Sequence, residues 1–324
     1  MINYLHQDNE HITGVPLLWQ TLANSTVLIT GSIGLIGSAI VRALTALNEK
    51  YNLNINIIAH TRKTHGDICQ PLQIAENVDY IFHCAAVTSS ANMVNKPLEV
   101  IKTSIDGTRN VLELARNQGC KSVVNLSSME VYGQIDGEIT EDMLGFVDLS
   151  NPRSCYPESK RLGELLCNLY HYQFKVPVKI ARLAQTFGAG TPKTDTRVFA
   201  QFAKSVQNKT DIILHTEGKS RGNYCYIADT VTALFTLLLK GENGQAYNVS
   251  NPETCMTIRE MAKLLADKYG VNVIIDIPPD TVKLGYAPET GYKLDIDKIS
   301  KLGWKPKYGL IDCYERMLSK WGEI

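Results

Sequence analysis

Tyr156 and Lys160 stand four residues apart in "YPESKRLGELLCNLYHYQF" (156–174), so a helix places both on one side. A lysine ammonium close to a phenol favours phenolate and lowers the tyrosine pKa, which makes the tyrosine a proton acceptor near neutrality. Ser128 ends the apolar run "KSVVNLSS" (121–128), where a hydroxyl can hydrogen-bond a substrate oxygen. Two residues on stands Glu130, a candidate base, with Met129 between them. On its own, a Tyr–Lys pair at this spacing is equally an exposed surface pair. The surrounding elements decide between the two.

The first of those elements is a glycine turn. "STVLIT" (25–30) reads as a short buried strand and runs into Gly31-Ser32-Ile33-Gly34-Leu35-Ile36-Gly37. Apolar residues then recur at helical spacing through Leu47. A strand-to-helix turn with three glycines lets backbone N–H groups reach a pyrophosphate, and the helix N-terminus favours the anion. Gly31, Ser32, Gly34, Leu35, Ile36 and Gly37 are therefore expected to hold a dinucleotide. The second strand, "INIIAH" (55–60), is followed by Thr61, Arg62 and Lys63, with no acid to meet the 2′-hydroxyl of NAD. A cation there suits a 2′-phosphate, so Arg62 favours NADP over NAD. A solvated loop arginine beside bound NAD is the alternative.

Further short apolar runs, at 78–86, 121–128 and 178–183, alternate with helical periods at 97–119 and 156–174. Such alternation predicts an α/β fold: a Rossmann-type, doubly wound parallel sheet covered on both faces. Residues 1–24, with Leu17, Leu18, Trp19 and Leu22 at helix-like spacing, read as an N-terminal extension carrying a short docked helix. Residues 25–184 read as the dinucleotide-binding domain, whose core can recruit later segments. Residues 185–324 read mainly as a smaller α/β substrate lobe.

Composition narrows the partners. Lysine plus arginine equals aspartate plus glutamate, 33 each in 324 residues, and no basic run stands out. No nucleic-acid partner is expected. The apolar runs fall short of a membrane span, and the polar start has no signal-peptide pattern. Eight scattered cysteines without a C-x-x-C pair point to free thiols and a cytoplasmic location, and the seven histidines show no metal-ligand spacing.

With these residues in place, a resemblance is evident. "TGSIGLIG", "FHCAA" (82–86), "IDGTRNVLELA" (105–115), "SSMEVYG", "YPESK", "ARLAQTFG" (181–188), "YCYIADTVTAL" (224–234) and "LGWKP" resemble the extended short-chain dehydrogenase/reductases that work as nucleotide-sugar epimerases and dehydratases. "NPRSCYPESKRLGE" is especially similar to UDP-glucuronate decarboxylases. The resemblance implies a catalytic set of Ser128, Tyr156 and Lys160 that oxidises a sugar hydroxyl, usually at C4. It implies Asp67 and Ile68 at the adenine, and Ala85 and Ala86 beside the cofactor. It also implies a nucleoside-diphosphate sugar in the C-terminal lobe and a homodimer. The dimer seam is expected from the helices of 97–117 and 156–174, with Leu165, Leu166, Leu169, Val111 and Leu112 as candidates, some of which must face the sheet.

Departures from the family pattern shape the expected reaction. Related dehydratases carry an acid and a base where this chain has Met129 and Glu130, and a thioether donates no proton. Decarboxylases use an arginine in the loop after "TFG", where this chain has Gly190. Gln185 replaces an asparagine, and Arg221 is one residue out of register with an arginine that meets the diphosphate. Met129, Gln185 and Arg221 are expected at the substrate, with Met129 as an apolar wall and Glu130 the only ionisable group beside it. Glu130 is expected to be catalytic, with a hold on a substrate hydroxyl as its alternative. A 4-epimerase or 4-ketoreductase is favoured over a 4,6-dehydratase or UDP-glucuronate decarboxylase. A catalytically silent NADP-binding regulator is the reading from another class.

Overall fold

The computed structural model describes residues 3–278 and 289–322. Six parallel strands form the central sheet: β1 (Thr26–Thr30), β2 (Asn56–His60), β3 (Tyr80–His83), β4 (Ser122–Ser128), β5 (Val178–Leu183) and β6 (Ala246–Val249). Their order across the sheet is β6-β5-β4-β3-β1-β2. Strand β6 joins from beyond residue 184 and pairs with β5 from Ala246↔Ile180 to Val249↔Leu183.

Period-two alternation divides each strand between two apolar layers. Val27, Ile29, Phe82 and Val124 join one core, while Leu28, Ile81 and Val123 join the other. The main helices are α1 (Tyr4–Gly14), α2 (Leu35–Tyr51), α3 (Pro97–Gln118), α4 (Cys155–Phe174), α5 (Val198–Gln207), α6 (Ile227–Lys240), α7 (Ile258–Tyr269) and α8 (Leu310–Lys320). α2 and α6 cover the first layer, and α3 and α4 the second, so water reaches neither face. Because all six strands are parallel, their carboxyl ends share one edge. Between β1 and β3 the strand order reverses direction, and such switch points open a ligand crevice.

The remaining strands build the C-terminal part. Gln185–Phe187, Arg221–Tyr226 and Asn251–Thr257 make a three-stranded sheet. Val273–Ile275 pairs with Ile212–Leu214, and Gly291–Leu294 with Asp136–Ile139.

One expectation needs correction, and the expected seam is sorted by burial. The N-terminal helix spans Tyr4–Gly14, whereas Trp19–Leu22 is a single 3₁₀ turn. Pro16 lacks the N–H a continued helix would need, and the residues after it turn Trp19 and Leu22 into the core. In the expected seam, Val111 and Leu112 are each 1% exposed and face the sheet, and Leu166 packs partly against that same core. Leu165 and Leu169 remain about half exposed, joined by Leu162 on α4 and by Leu98 and Ile101 on α3.

Candidate active site

The glycine turn lies at the carboxyl end of β1. Gly31 has φ +67°, and a Cβ there would stand 2.8 Å from the Ala85 Cα. At Gly37 a Cβ would stand 2.4 Å from the Gly31 oxygen. Both positions need glycine, because the start of α2 lies directly on the turn, which in turn lies on the segment after β3. Gly34 is the N-cap of α2 and brings no side-chain acceptor to its free N–H groups. That leaves an anion cradle made of backbone, as a pyrophosphate requires. Ser32 is turned away from it: its Oγ donates to the His60 oxygen at 3.0 Å. The residues present therefore fit a dinucleotide.

At the end of β2, Arg62 is 75% exposed, and its Nε lies 3.6 Å from Asp67 Oδ2. Asp67 also accepts the Cys69 N–H at 3.0 Å, the main reason its carboxyl sits below the usual carboxylate range. Ile68 is buried against Gly107. The Ala85 N–H donates to Thr30 Oγ1 at 3.2 Å, which ties the β3 end to the β1 end; Ala86 follows it, half-buried.

Ser128, Tyr156 and Lys160 meet at the same edge. Ser128 is the last residue of β4, and its side chain stands near enough to Tyr156 to act on the phenol. Lys160, one turn along α4 from Tyr156, places its Nζ 5.9 Å from the tyrosine ring centre. The expected depression of the tyrosine is not what the geometry gives. Lys160 donates to the Leu126 oxygen at 2.8 Å, turned under β4. Burial pushes the Tyr156 phenol up to about 12, and the nearby Glu130 charge adds to this. Ser128, Arg197 and Arg153 pull the other way. Lys160 is itself lowered to about 8, chiefly by burial.

Glu130 does not stand alone, which corrects a second expectation. Its Oε2 and Oε1 accept from Nη1 and Nη2 of Arg153 at 2.7 and 3.0 Å. Met129 is half-buried against the core, and its backbone oxygen accepts from the Tyr292 hydroxyl at 3.0 Å. Glu130 and Arg153 share a pocket with Asp148, Asn151, Thr290 and Tyr292. Arg221 is exposed, and its backbone N–H donates at 2.7 Å to the oxygen of Thr290, one of the residues lining that pocket. Gln185 begins its strand with Oε1 buried and without a partner among the described residues. Gly190, with φ +95°, faces Leu35 at the start of α2.

Sequence reasoning missed Arg153 and Arg197. Arg197 pairs with Asp195 at 2.6 Å and is near enough to act on Tyr156. Arg153 had a readable signal: "NPRS" directly ahead of the Tyr156 helix is an Asn-capped turn with proline at its first position. Among the described residues, no group of three or more His, Cys, Asp or Glu could hold a metal ion, and no helix is long and apolar enough to cross a membrane.

The model of the NAD dependent epimerase/dehydratase family matches residues 27–250. This chain belongs to that family. UDP-glucuronic acid decarboxylase 4 of Arabidopsis thaliana is 30% identical over 305 residues, covering 88% of this chain and 66% of the relative. The chain thus spans just under two thirds of that relative's length. UDP-glucuronic acid decarboxylase 3 of the same plant is 31% identical, with 89% of this chain and 86% of the relative covered. Among solved structures, UDP-glucose 4-epimerase of Thermotoga maritima superposes with a TM-score of 0.77 at 21% identity, covering 92% of this chain and 98% of that one. These epimerase/dehydratase family members are enzymes, and the family's description makes them NAD-dependent.

Proposed function

We propose that this chain transfers a hydride at C4 of a nucleoside-diphosphate sugar, either as a 4-epimerase that oxidises and re-reduces C4 or as a 4-ketoreductase that reduces a 4-keto sugar with reduced cofactor. The observation that carries the reading is the convergence of Ser128, Tyr156 and Lys160 on the sheet edge that also bears the glycine cradle. A nicotinamide dinucleotide held on the Gly31–Gly37 turn would supply the hydride acceptor and donor for C4. Tyr156, having first lost its own proton to solvent, takes the hydroxyl proton as the C4 carbonyl forms and gives it back on reduction. Ser128 hydrogen-bonds the same oxygen. Lys160 keeps a positive charge beneath the site, which supports phenolate once Tyr156 has lost its proton.

Gln185, Arg221 and Met129 contact the substrate in this reading. The buried, unpartnered Oε1 of Gln185 supports it, as does the backbone bond from Arg221 to Thr290, which lines the Glu130 pocket. The exposed Arg62 supports NADP over NAD. Eight free cysteines support a reducing, cytoplasmic setting. The exposed leucines of α3 and α4 support a homodimer. A UDP-glucuronate decarboxylase is the second reading, favoured by the curated relatives.

The test follows UDP, dTDP and GDP sugars by NMR with the purified protein and either cofactor. A C4 epimer is expected, or a C4 alcohol when a 4-keto sugar and reduced cofactor are supplied, with tighter binding of NADP. A 4-keto-6-deoxy product would refute the favoured reaction, and a pentose with release of carbon dioxide would replace it by the second reading. Binding of the cofactor without any turnover would favour a silent regulator. Equal affinity for NAD and NADP would remove the NADP assignment.

A further inference from the structure

The turn Pro152–Ser154 lies outside the catalytic set, yet it delivers a buried arginine to it. Asn151 Oδ1 accepts the Arg153 N–H at 2.9 Å, and the turn runs straight into α4. Arg153 and Tyr156 are therefore set by one continuous element, three residues apart. Arg153 is only 8% exposed. Its Nε is also buried and has no hydrogen-bond partner among the described residues. Two parallel N–H donors to one carboxylate make a geometrically specific, charge-assisted pair. Glu130 is held at its other end as well, where its backbone N–H donates to Ser128 Oγ at 3.2 Å.

Each Glu130 oxygen is thus already engaged. Taking a proton from carbon would mean surrendering a charge-assisted bond and leaving a buried guanidinium half-paired, which is costly. Accepting a hydroxyl hydrogen costs neither bond, because each carboxylate oxygen has a second lone-pair site. We propose that Arg153 is a positioning residue. It fixes Glu130 as the acceptor for a hydroxyl of the bound sugar and keeps that carboxylate from acting as a base at C5. The proposal deepens the C4 redox reading and rests on it. The opposite effects of the two residues on Tyr156 agree with it: Glu130 raises the phenol and Arg153 lowers it. Removing the arginine would leave the Glu130 charge on Tyr156 opposed, among the two guanidinium groups, by Arg197 alone.

Two readouts test this. The first is calorimetric binding of UDP-glucose, dTDP-glucose and GDP-mannose, each against its bare nucleoside diphosphate. Glu130→Gln and Arg153→Met are each expected to weaken the bound sugar nucleotide by about tenfold, the order expected for one lost hydrogen bond to a charged group, and to leave the bare nucleotide unaffected. Equal weakening of both, no weakening of either, or no binding of any of the three sugars would overturn the proposal. The second readout is turnover in deuterium oxide followed by NMR. Wild type is expected to leave C5 unlabelled, and Arg153→Met, which frees Glu130, to label it. C5 labelling by wild type that Glu130→Gln abolishes would show Glu130 to be a base and overturn the proposal. If Arg153→Met does not fold, Arg153→Lys takes its place, with binding expected between wild type and Glu130→Gln. A failure of the C4 reading itself would show differently. The bound sugar would not reduce the cofactor, while the selective loss of sugar binding would persist.

Discussion

Tyr156 is 7% exposed, and burial pushes its phenol up to about 12. At neutral pH it rests protonated, ready to give its proton to a C4 carbonyl, and it accepts the C4 hydroxyl proton only after losing its own. Tyr156→Phe keeps the ring and removes that oxygen. Turnover should fall by roughly 10²–10⁴, the contribution of a general acid–base group, with sugar-nucleotide binding retained. Near-normal turnover in steady-state assays would remove Tyr156 from the mechanism. At this scale the catalytic set was readable, because the i, i+4 spacing on a helix and a strand-end serine are local signals. The guanidinium clamp on Glu130 was not. It joins positions 23 residues apart in the chain, and only the β4-to-α4 packing brings them together. The Lys160 head group was likewise misplaced, since its acceptor is a backbone carbonyl on a neighbouring element that spacing cannot show.

At the scale of elements, the exposed leucines of α3 and α4 need a cover. Leu165 and Leu169 are 50% and 49% exposed, and Leu98 is 79% exposed. Fully burying a leucine contributes about 1.5–3 kcal/mol, so covering a half-exposed one contributes roughly 1 kcal/mol, and a symmetric seam counts each twice. Wild type is expected to be a dimer by light scattering at micromolar concentration. The double variant Leu165→Glu, Leu169→Glu is expected to be a monomer. A wild-type monomer, or a double variant that stays dimeric, would place the interface elsewhere. The parallel strands were legible as short apolar runs, since burial on both faces leaves no polar alternation. The three-stranded sheet of Gln185–Phe187, Arg221–Tyr226 and Asn251–Thr257 was not. Its register shifts between Asn251 and Met256, and its middle strand leads without a turn into α6, so no clean period marks it.

Across the whole molecule, α1 binds the two ends of the chain together. Asp8 accepts from the Tyr226 hydroxyl at 2.7 Å and from Arg316 at 3.1 Å, and His11 lies 3.2 Å from Asp229. Burial outweighs these partners and pushes Asp8 up to about 6 from 3.8. Its folded pKa is above the unfolded one, so the folded state favours the protonated acid. The associated stability is complete below about pH 3.8 and is lost as pH rises through 6. By proton linkage the loss is about 3 kcal/mol at most. Urea unfolding at pH 5 and pH 7 should therefore show wild type losing stability, and Asp8→Asn losing less across the same interval. An identical pH response in both would remove Asp8 as the source.

The central claim is hydride transfer from C4 of a nucleoside-diphosphate sugar, and single-turnover mixing tests it most directly. The protein, loaded with oxidised cofactor, is mixed with each sugar of the UDP, dTDP and GDP panel while the near-ultraviolet absorbance of reduced nicotinamide is followed. At least one sugar is expected to give a rapid rise, slowed several-fold when its C4 hydrogen is deuterium and abolished in Tyr156→Phe. A sugar that binds and turns over with no rise, or a rise indifferent to C4 deuterium, would contradict the account.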